Sequence, residues 1–444
     1  MAEFVEKLEN ITEEVESQDS LNDTVKSSNG ETLENIISKE EIMAMVAKRS
    51  HALEKVTPPS EPEHKFWSTQ PVPRMTDIVS GEGPIDPNED VSAVRQEPYA
   101  MPAGFEWCSL DVMNADEVNE MYKLLNENYV EDDECMFRFD YSIPFLQWAL
   151  TPPGYLKEWH VGVRSTKTGK LMACITACPA EMRIVRTVRR TVEINYLCVH
   201  KKLRSKRLAP VLIKEVTRRV NLRGCWQAVY TAGILLPKPM ARCRYWHRNL
   251  NPKKLIEVNF TRLKPRMTMA RTLKLYKLPD VPASDLRTME PRDVSSVTRL
   301  LNTYLSKTNL APIFTDADTT HWLLPRDGVI NSFVLTDKTG NVTDFCSYYH
   351  LPSTVIGNPK HKTLKSAYSY YNVATTMSLV DLMRDSLIFA RNCNADVFNA
   401  LDLMDNATLF EPLKFGIGDG HLQYYVYNWK CVEMVPNEIG LVLL

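Results

Sequence analysis

The chain has 444 residues, with 53 Lys plus Arg against 55 Asp plus Glu, 44% hydrophobic and 9% aromatic residues. That composition excludes collagen, coiled coil and wholesale disorder, and at ~150 residues per domain the length fits three domains or one pseudo-symmetric body. The near-neutral charge is unevenly spread: residues 1–60 hold 13 acidic against 6 basic side chains, so the remainder carries a net +5. Such a surplus is too small to mark a nucleic-acid binder, and no nucleic acid is expected as a partner, but it suits a substrate bearing several phosphates.

No run reaches the ~18 consecutive apolar residues of a membrane span, and the acidic N-terminus lacks the basic-then-apolar layout of a secretory signal. A cytoplasmic protein is expected. Its 10 cysteines are scattered singly apart from Cys174 and Cys178, with no second pair at zinc-ligand spacing. Buried, reduced thiols follow.

In chain order, residues 1–30 are polar and acidic and cannot bury enough apolar area to offset ordering. Leu33, Ile36, Ile37, Met43 and Val46 predict one or two amphipathic helices over 31–56, stopped by Pro58 and Pro59. Residues 75–105, rich in Pro, Gly and Asp, predict a long surface loop. A pattern then occurs twice. Residues 158–178 read as a hairpin around Lys167-Thr168-Gly169, and residues 329–350 as another around Lys338-Thr339-Gly340, with the turns 171 residues apart. Each hairpin precedes an extended strand (192–199; 367–373), a loop and an amphipathic helix (208–220; 378–390). The expected fold class is α+β, two pseudo-symmetric halves forming one body around a mixed sheet.

The segment 192–219 carries the clearest chemistry: a β-branched strand, a loop holding Lys201, Lys202, Arg204, Lys206 and Arg207, then a helix starting near Leu208. Unpaired N–H groups in a helix's first turn, the helix dipole and adjacent guanidinium groups together favour phosphate. A merely solvated basic turn is the competing reading. The spacing Arg204-x-x-Arg207-x-Ala209 resembles the pyrophosphate loop of acyl-CoA-dependent N-acyltransferases, with Arg207 where that fold usually has glycine. The whole segment resembles the signature of the N-myristoyltransferase family, as do residues 64–73, 129–154, 229–250 and 414–430. The resemblance spans about 61–444.

It implies transfer of a myristoyl group from myristoyl-CoA, a co-substrate, to the amine of an N-terminal glycine, with neither cofactor nor metal. The implied division is a tail over 1–60, an acyl-CoA half over 61–265 and a peptide half over 266–444 that ends in the catalytic carboxylate. That base is the terminal carboxylate of Leu444, carried on the apolar tail 439–444, and the oxyanion donors are the backbone N–H groups of Tyr196 and Leu197. Acyl-CoA would touch Lys65, Phe66, Trp67, Tyr196, Leu197, Cys198 and Val199, with Arg204, Ser205, Lys206, Arg207, Leu208 and Ala209 around its phosphates.

For the peptide, the resemblance implies the acidic run Glu131, Asp132, Asp133 and Glu134 beside Tyr129, Val130, Phe137, Phe139 and Tyr141. It adds Thr231, Tyr245, His247, Phe260, Ser353, Tyr368, Asn399, Asp419, Gly420 and Leu422, with His247 and Asp419 as a polar pair for a small hydroxyl side chain. Partners are then myristoyl-CoA and peptides or nascent proteins beginning with glycine; the tail is a candidate for ribosome association, and a monomer is expected.

Three further readings come from the residues themselves. Cys198 and His200, two apart, would share a strand face and form an acyl-enzyme pair, a rival to direct transfer. Residues 416–420, rich in glycine but followed by a strand, read as a tight turn rather than a nucleotide loop. The loop of the second half, residues 366–382, has no Lys or Arg, so one copy binds CoA. The alternatives to the leading activity are an N-acyltransferase using a shorter donor and a non-catalytic binder of acyl-CoA or of N-glycyl or lipidated proteins.

Overall fold

The computed structural model describes residues 64–130 and 135–444. The expectations for residues 1–60 and for the run 131–134 fall outside the described residues. Runs of β-branched and aromatic residues form the strands β1 (Phe105–Ser109), β2 (Phe137–Phe139), β3 (His160–Ser165), β4 (Leu171–Ile184), β5 (Thr187–Val199), β6 (Gln227–Ala232) and β7 (Ala241–Asn249). The second half adds β8 (Arg287–Thr288), β9 (Leu310–Pro312), β10 (Ile330–Thr336), β11 (Val342–His350), β12 (Ser353–Val355), β13 (Thr363–Leu364), β14 (Ser366–Val373), β15 (Val397–Leu401) and β16 (Gly416–Tyr427). Five helices position the site: α1 (Ala115–Asn128), α2 (Leu208–Asn221), α3 (Val294–Leu305), α4 (Asp316–Leu323) and α5 (Leu379–Asn392).

Both predicted hairpins form, as β3–β4 and β10–β11. Each leads through a third antiparallel strand and a helix to a parallel neighbour: β5 pairs with β6, and β14 with β15. The main sheet runs β1-β3-β4-β5-β6-β16-β7-β15-β14-β11-β10-β8, with β9 on β4. Its centre is exchanged. The last strand of the first half, β7, pairs with β15 of the second, while β16, the last of the second, pairs with β6 of the first. β16 and β7 then join antiparallel across the middle. The two related halves are thus one mixed sheet.

α2 packs its Leu208, Leu212, Val216 and Val220 with Trp159, Val161, Ile175 and Val192, while α5 packs Leu382, Met383 and Leu387 with Cys346, Tyr348 and Phe398. Leu212 and Leu382 are fully buried, each such side chain contributing on the order of 1.5–3 kcal/mol. A smaller sheet, β13-β12-β2, ties the segment around Phe137–Phe139 to the second half through the Ser353–Phe139 and Val355–Phe137 pairs. Residues 75–105 lack long elements, as expected for a surface loop. All ten cysteines are free, eight of them buried or half-buried.

Candidate active site

β5 carries the centre of the site. Its ladder to β4 pairs Asn195 with Thr176 and then Cys198 with Cys174, so Tyr196 and Leu197 together face the single residue Ile175. Tyr196 takes up the extra length at φ 52, a left-handed conformation that costs a non-glycine residue ~1–2 kcal/mol. Aromatic packing holds it there: the buried Tyr196 ring meets Tyr141 edge-on at 5.2 Å and Tyr129 at 6.0 Å. On the β4 side, Thr176 Oγ1 donates to the Asn195 carbonyl at 2.9 Å and Cys174 Sγ to that of Tyr196 at 3.3 Å.

Past β5, the basic loop forms a 3-10 turn over Lys201–Lys206. Asn128, at the end of α1, organises it by accepting from the Lys201 N–H at 3.0 Å and from the Arg204 guanidinium. Arg207 has φ 54 and precedes α2 without any side-chain cap among the described residues. The position where the pyrophosphate loop usually has glycine therefore holds an arginine in a glycine-like conformation. Lys202, Arg204, Lys206 and Arg207 are exposed, Leu208 is buried and Ala209 half-buried; Ser205 lies in the same turn.

A cavity of about 660 Å³ opens beside this strand, and its walls differ in chemistry. Ile175, Val192, Ile194, Ile213, Val216, Val220 and Ala228 supply an apolar wall from β4, β5, α2 and β6. Aromatic and polar side chains make the rest, and they include most of the predicted peptide residues: Tyr129, Val130, Phe137, Phe139, Tyr141, Thr231, Tyr245, His247, Phe260, Ser353, Tyr368, Asn399, Gly420 and Leu422. Tyr196, Leu197, Leu444 and Trp67 line the same space. Trp67 stacks on Tyr230 at 5.8 Å, with Phe66 edge-on to it at 5.2 Å. Lys65 and Phe66 precede it outside the lining.

The tail reaches this cavity through the core. Gly440 N–H donates to the Leu310 carbonyl at 2.7 Å, Tyr424 hydroxyl to the Leu441 carbonyl at 3.0 Å, and Val442 N–H to the Tyr371 hydroxyl at 3.4 Å. At Gly440 a Cβ would come within 2.5 Å of Thr308 Oγ1 and 2.8 Å of Leu305, so only glycine lets the chain pass so close to α3.

Two readings need correcting, the turn at 416–420 and the Cys198–His200 pair. Residues 416–420 are not a tight turn but lie inside β16, where the register breaks between Ile417 and His421 and a Cβ on Gly418 would strike the His247 ring. His247 is paired with Asn399, Nδ1 to Oδ1 at 2.7 Å, while Asp419 is exposed and outside the lining. Burial lowers the His247 pKa against the raising effects of Asn399 and Asp419. Cys198 and Val199 also lie outside the lining: the Cys198 thiol, pushed up to about 12 by burial, points to the Leu124 carbonyl at 3.9 Å. β5 ends at Val199, and His200 Nδ1 accepts from the Lys202 N–H at 3.2 Å. A thiol held protonated and an imidazole turned to its own loop do not form a nucleophile and base.

Sequence reasoning missed Asn195, Ile213, Val220, Trp226, Tyr230, Tyr349 and Leu443. The apolar stripe of α2 marked burial, but a stripe facing a cavity has the same period as one facing a core.

Two family descriptions match the chain: "Myristoyl-CoA:protein N-myristoyltransferase, N-terminal domain" over residues 84–243 and its "C-terminal domain" over 257–442. "Glycylpeptide N-tetradecanoyltransferase 2" of Danio rerio is 57% identical over 382 residues, 86% of this chain and 77% of that protein. "Glycylpeptide N-tetradecanoyltransferase" of Drosophila melanogaster is 54% identical over 380 residues, covering 85% and 80%. Among solved structures, Saccharomyces cerevisiae N-myristoyltransferase with bound myristoyl-CoA superposes with a TM-score of 0.83 at 40% identity, over 86% of this chain and 99% of that one. With matches over nearly the whole described length, the chain belongs to the myristoyl-CoA:protein N-myristoyltransferase family.

Proposed function

We propose that the chain, an acyltransferase of this family that myristoylates N-terminal glycines, works by direct attack of the glycine amine on the thioester of myristoyl-CoA. The observation that carries this reading is one cavity bordered by an apolar wall, an aromatic and polar wall, the bulged Tyr196–Leu197 backbone and the last residue, Leu444. The acyl chain occupies the apolar wall, where about a dozen buried methylenes at ~0.8 kcal/mol each supply on the order of 10 kcal/mol gross. The CoA phosphates sit on the loop 204–209 and the open first turn of α2, with Lys65 and Phe66 nearby and Trp67 at the rim. Here the glycine-like Arg207 brings backbone N–H groups and a guanidinium to one anion.

The glycine enters along the other wall. Its amine titrates near 7.7–8.0, so neutralising it at pH 7 costs only about 1 kcal/mol. The Leu444 carboxylate takes that proton. As the nitrogen attacks, negative charge develops on the thioester oxygen, and the N–H groups of Tyr196 and Leu197, at the bulge where β5 sets two residues against one of β4, receive it. One such donor is typically worth ~3–4 kcal/mol in the transition state. The tilted aromatic cluster around Tyr196 keeps the strained backbone in place before substrate arrives. His247, half-buried and bound to Asn399, serves as a neutral hydrogen-bonding group for a small hydroxyl of the peptide.

The proposed division assigns acyl-CoA to the 61–265 half and peptide to 266–444. β7 carries Tyr245 and His247 into the second half's sheet, so the first half also furnishes peptide residues. Ten free thiols suit a reducing compartment, and we assign the protein to the cytoplasm. The test is release of CoA thiol with a Gly-initiated peptide against an Ala-initiated one, in the native chain and in one extended at its C-terminus. Turnover with the glycine peptide alone, and its loss with acyl-CoA binding retained in the extended chain, is the expected result. An extended chain at full rate removes Leu444 from the reaction.

A further inference from the structure

Behind Leu444 lies a second, much smaller cavity of about 40 Å³, and Leu444 lines both, forming the partition between them. Three carboxylates border the small cavity, Glu181, Glu193 and Asp318, and no Lys, Arg or His does. Glu193 lies on β5 three residues before Tyr196, between Val192 and Ile194, which line the main cavity; alternation turns it to the opposite face. The groups around it are Cys178 across the ladder, Glu181 on β4, Asp318 on α4, Tyr370 and Tyr371 on β14, and the terminus itself. Its carboxylate has no hydrogen bond or ion pair among the described residues. Glu193 is half-buried, and a carboxylate drawn partly out of water with no cation beside it is costly to hold; it lines the same small cavity as the proposed base.

The proposed reaction sets a demand that the main cavity does not meet. An ammonium and a thioester become an amide and a thiol, with one proton left over. The first N–H proton goes to a Leu444 carboxylate oxygen and its electron pair stays on nitrogen. That nitrogen forms the C–N bond as C–S breaks, and its second proton ends on the CoA sulfur. The first must leave Leu444 before another turnover, and while the acyl chain and peptide fill the main cavity it cannot leave that way.

We propose that Glu193 is the relay by which this proton departs: from the Leu444 carboxyl through water in the small cavity to Glu193, then past Asp318 and the exposed Glu181 to bulk water as hydronium. About 40 Å³ has room for a water. Burial, reinforced by the charge of Asp318, pushes the Glu193 carboxyl up to about 7. A group at that value exchanges protons readily with water at neutral pH. The relay rests on the reading of Leu444 as base. Glu193 acts through Leu444 and touches no substrate.

Glu193→Gln keeps the shape and removes the exchangeable site. Because Glu193 must be deprotonated to accept, kcat of the native full chain is expected to rise with pH through about 7. In Glu193→Gln that rise disappears and kcat falls about tenfold, with KM for both substrates and acyl-CoA binding unchanged. Asp318→Asn removes the charge that raises Glu193 and should move the rise to lower pH. Native kcat and pH profile in Glu193→Gln overturn the relay, while a C-terminally extended chain that stays inactive leaves the base reading standing; an active extended chain overturns the base reading itself. Should Glu193→Gln fail to fold, an unshifted profile in Asp318→Asn overturns the relay.

Discussion

The loop between β5 and α2 and the loop between β14 and α5 occupy equivalent places in the two halves, and they treat the same backbone in opposite ways. In the first, Arg207 enters α2 with φ 54, no side chain caps the helix among the described residues, and five basic side chains stand exposed. In the second, Ser378 caps α5 by accepting from the Asp381 N–H at 3.0 Å. The fully buried Asp344 of β11 accepts from the N–H groups of Thr375 at 2.7 Å, Thr376 at 3.0 Å and Met377 at 3.3 Å, and from the Thr376 hydroxyl. The second half has thus supplied its own anion to a turn that, in the first half, waits for one. Duplication preserves a binding geometry; what decides whether it binds anything is whether a side chain of the chain already fills it.

The comparison can be broken most severely on the open side. Charge reversal at Lys206 and Arg207 together should weaken acyl-CoA binding by more than a hundredfold, since each charge-assisted bond is worth ~1.5–3 kcal/mol, with thermal stability unchanged; calorimetric titration reads the first and a melting curve the second. The reverse holds on the filled side. Asp344→Ala strands three loop N–H groups and should cost ~2–4 kcal/mol in urea denaturation while acyl-CoA affinity stays native. Smallest is Ser378→Ala, a lost cap worth about 1 kcal/mol, again visible in stability and absent from acyl-CoA binding. If it altered acyl-CoA affinity, the two loops would not be functionally distinct.

Much of this was legible beforehand because it is local. The hairpins, the strand 192–199 and the helix from Leu208 follow from alternation, turn tripeptides and a helical stripe, and the basic loop announces itself by charge. Three things were not. The exchange of β7 and β16 leaves the pattern of each strand unchanged, since a buried central strand reads the same beside either neighbour. The bulge at Tyr196 carries no glycine; a tyrosine is held at φ 52 by rings far away in sequence. The pairing of His247 with Asn399 joins residues 152 apart, and the glycines of 416–420 were read as a turn because their other use, close approach of β16 to His247, depends on a strand that arrives from the opposite half.

That strand exchange also sets a timetable for the growing polypeptide. β7 has neither of its eventual neighbours until β15 is complete at residue 401, and β6 has no β16 beside it until residue 427. An emerging first half therefore exposes open sheet edges for as long as it takes to make nearly two hundred more residues, a state prone to mispairing. Closure of the sheet comes late, and a chain halted before β16 has an unfinished sheet rather than a half-working enzyme.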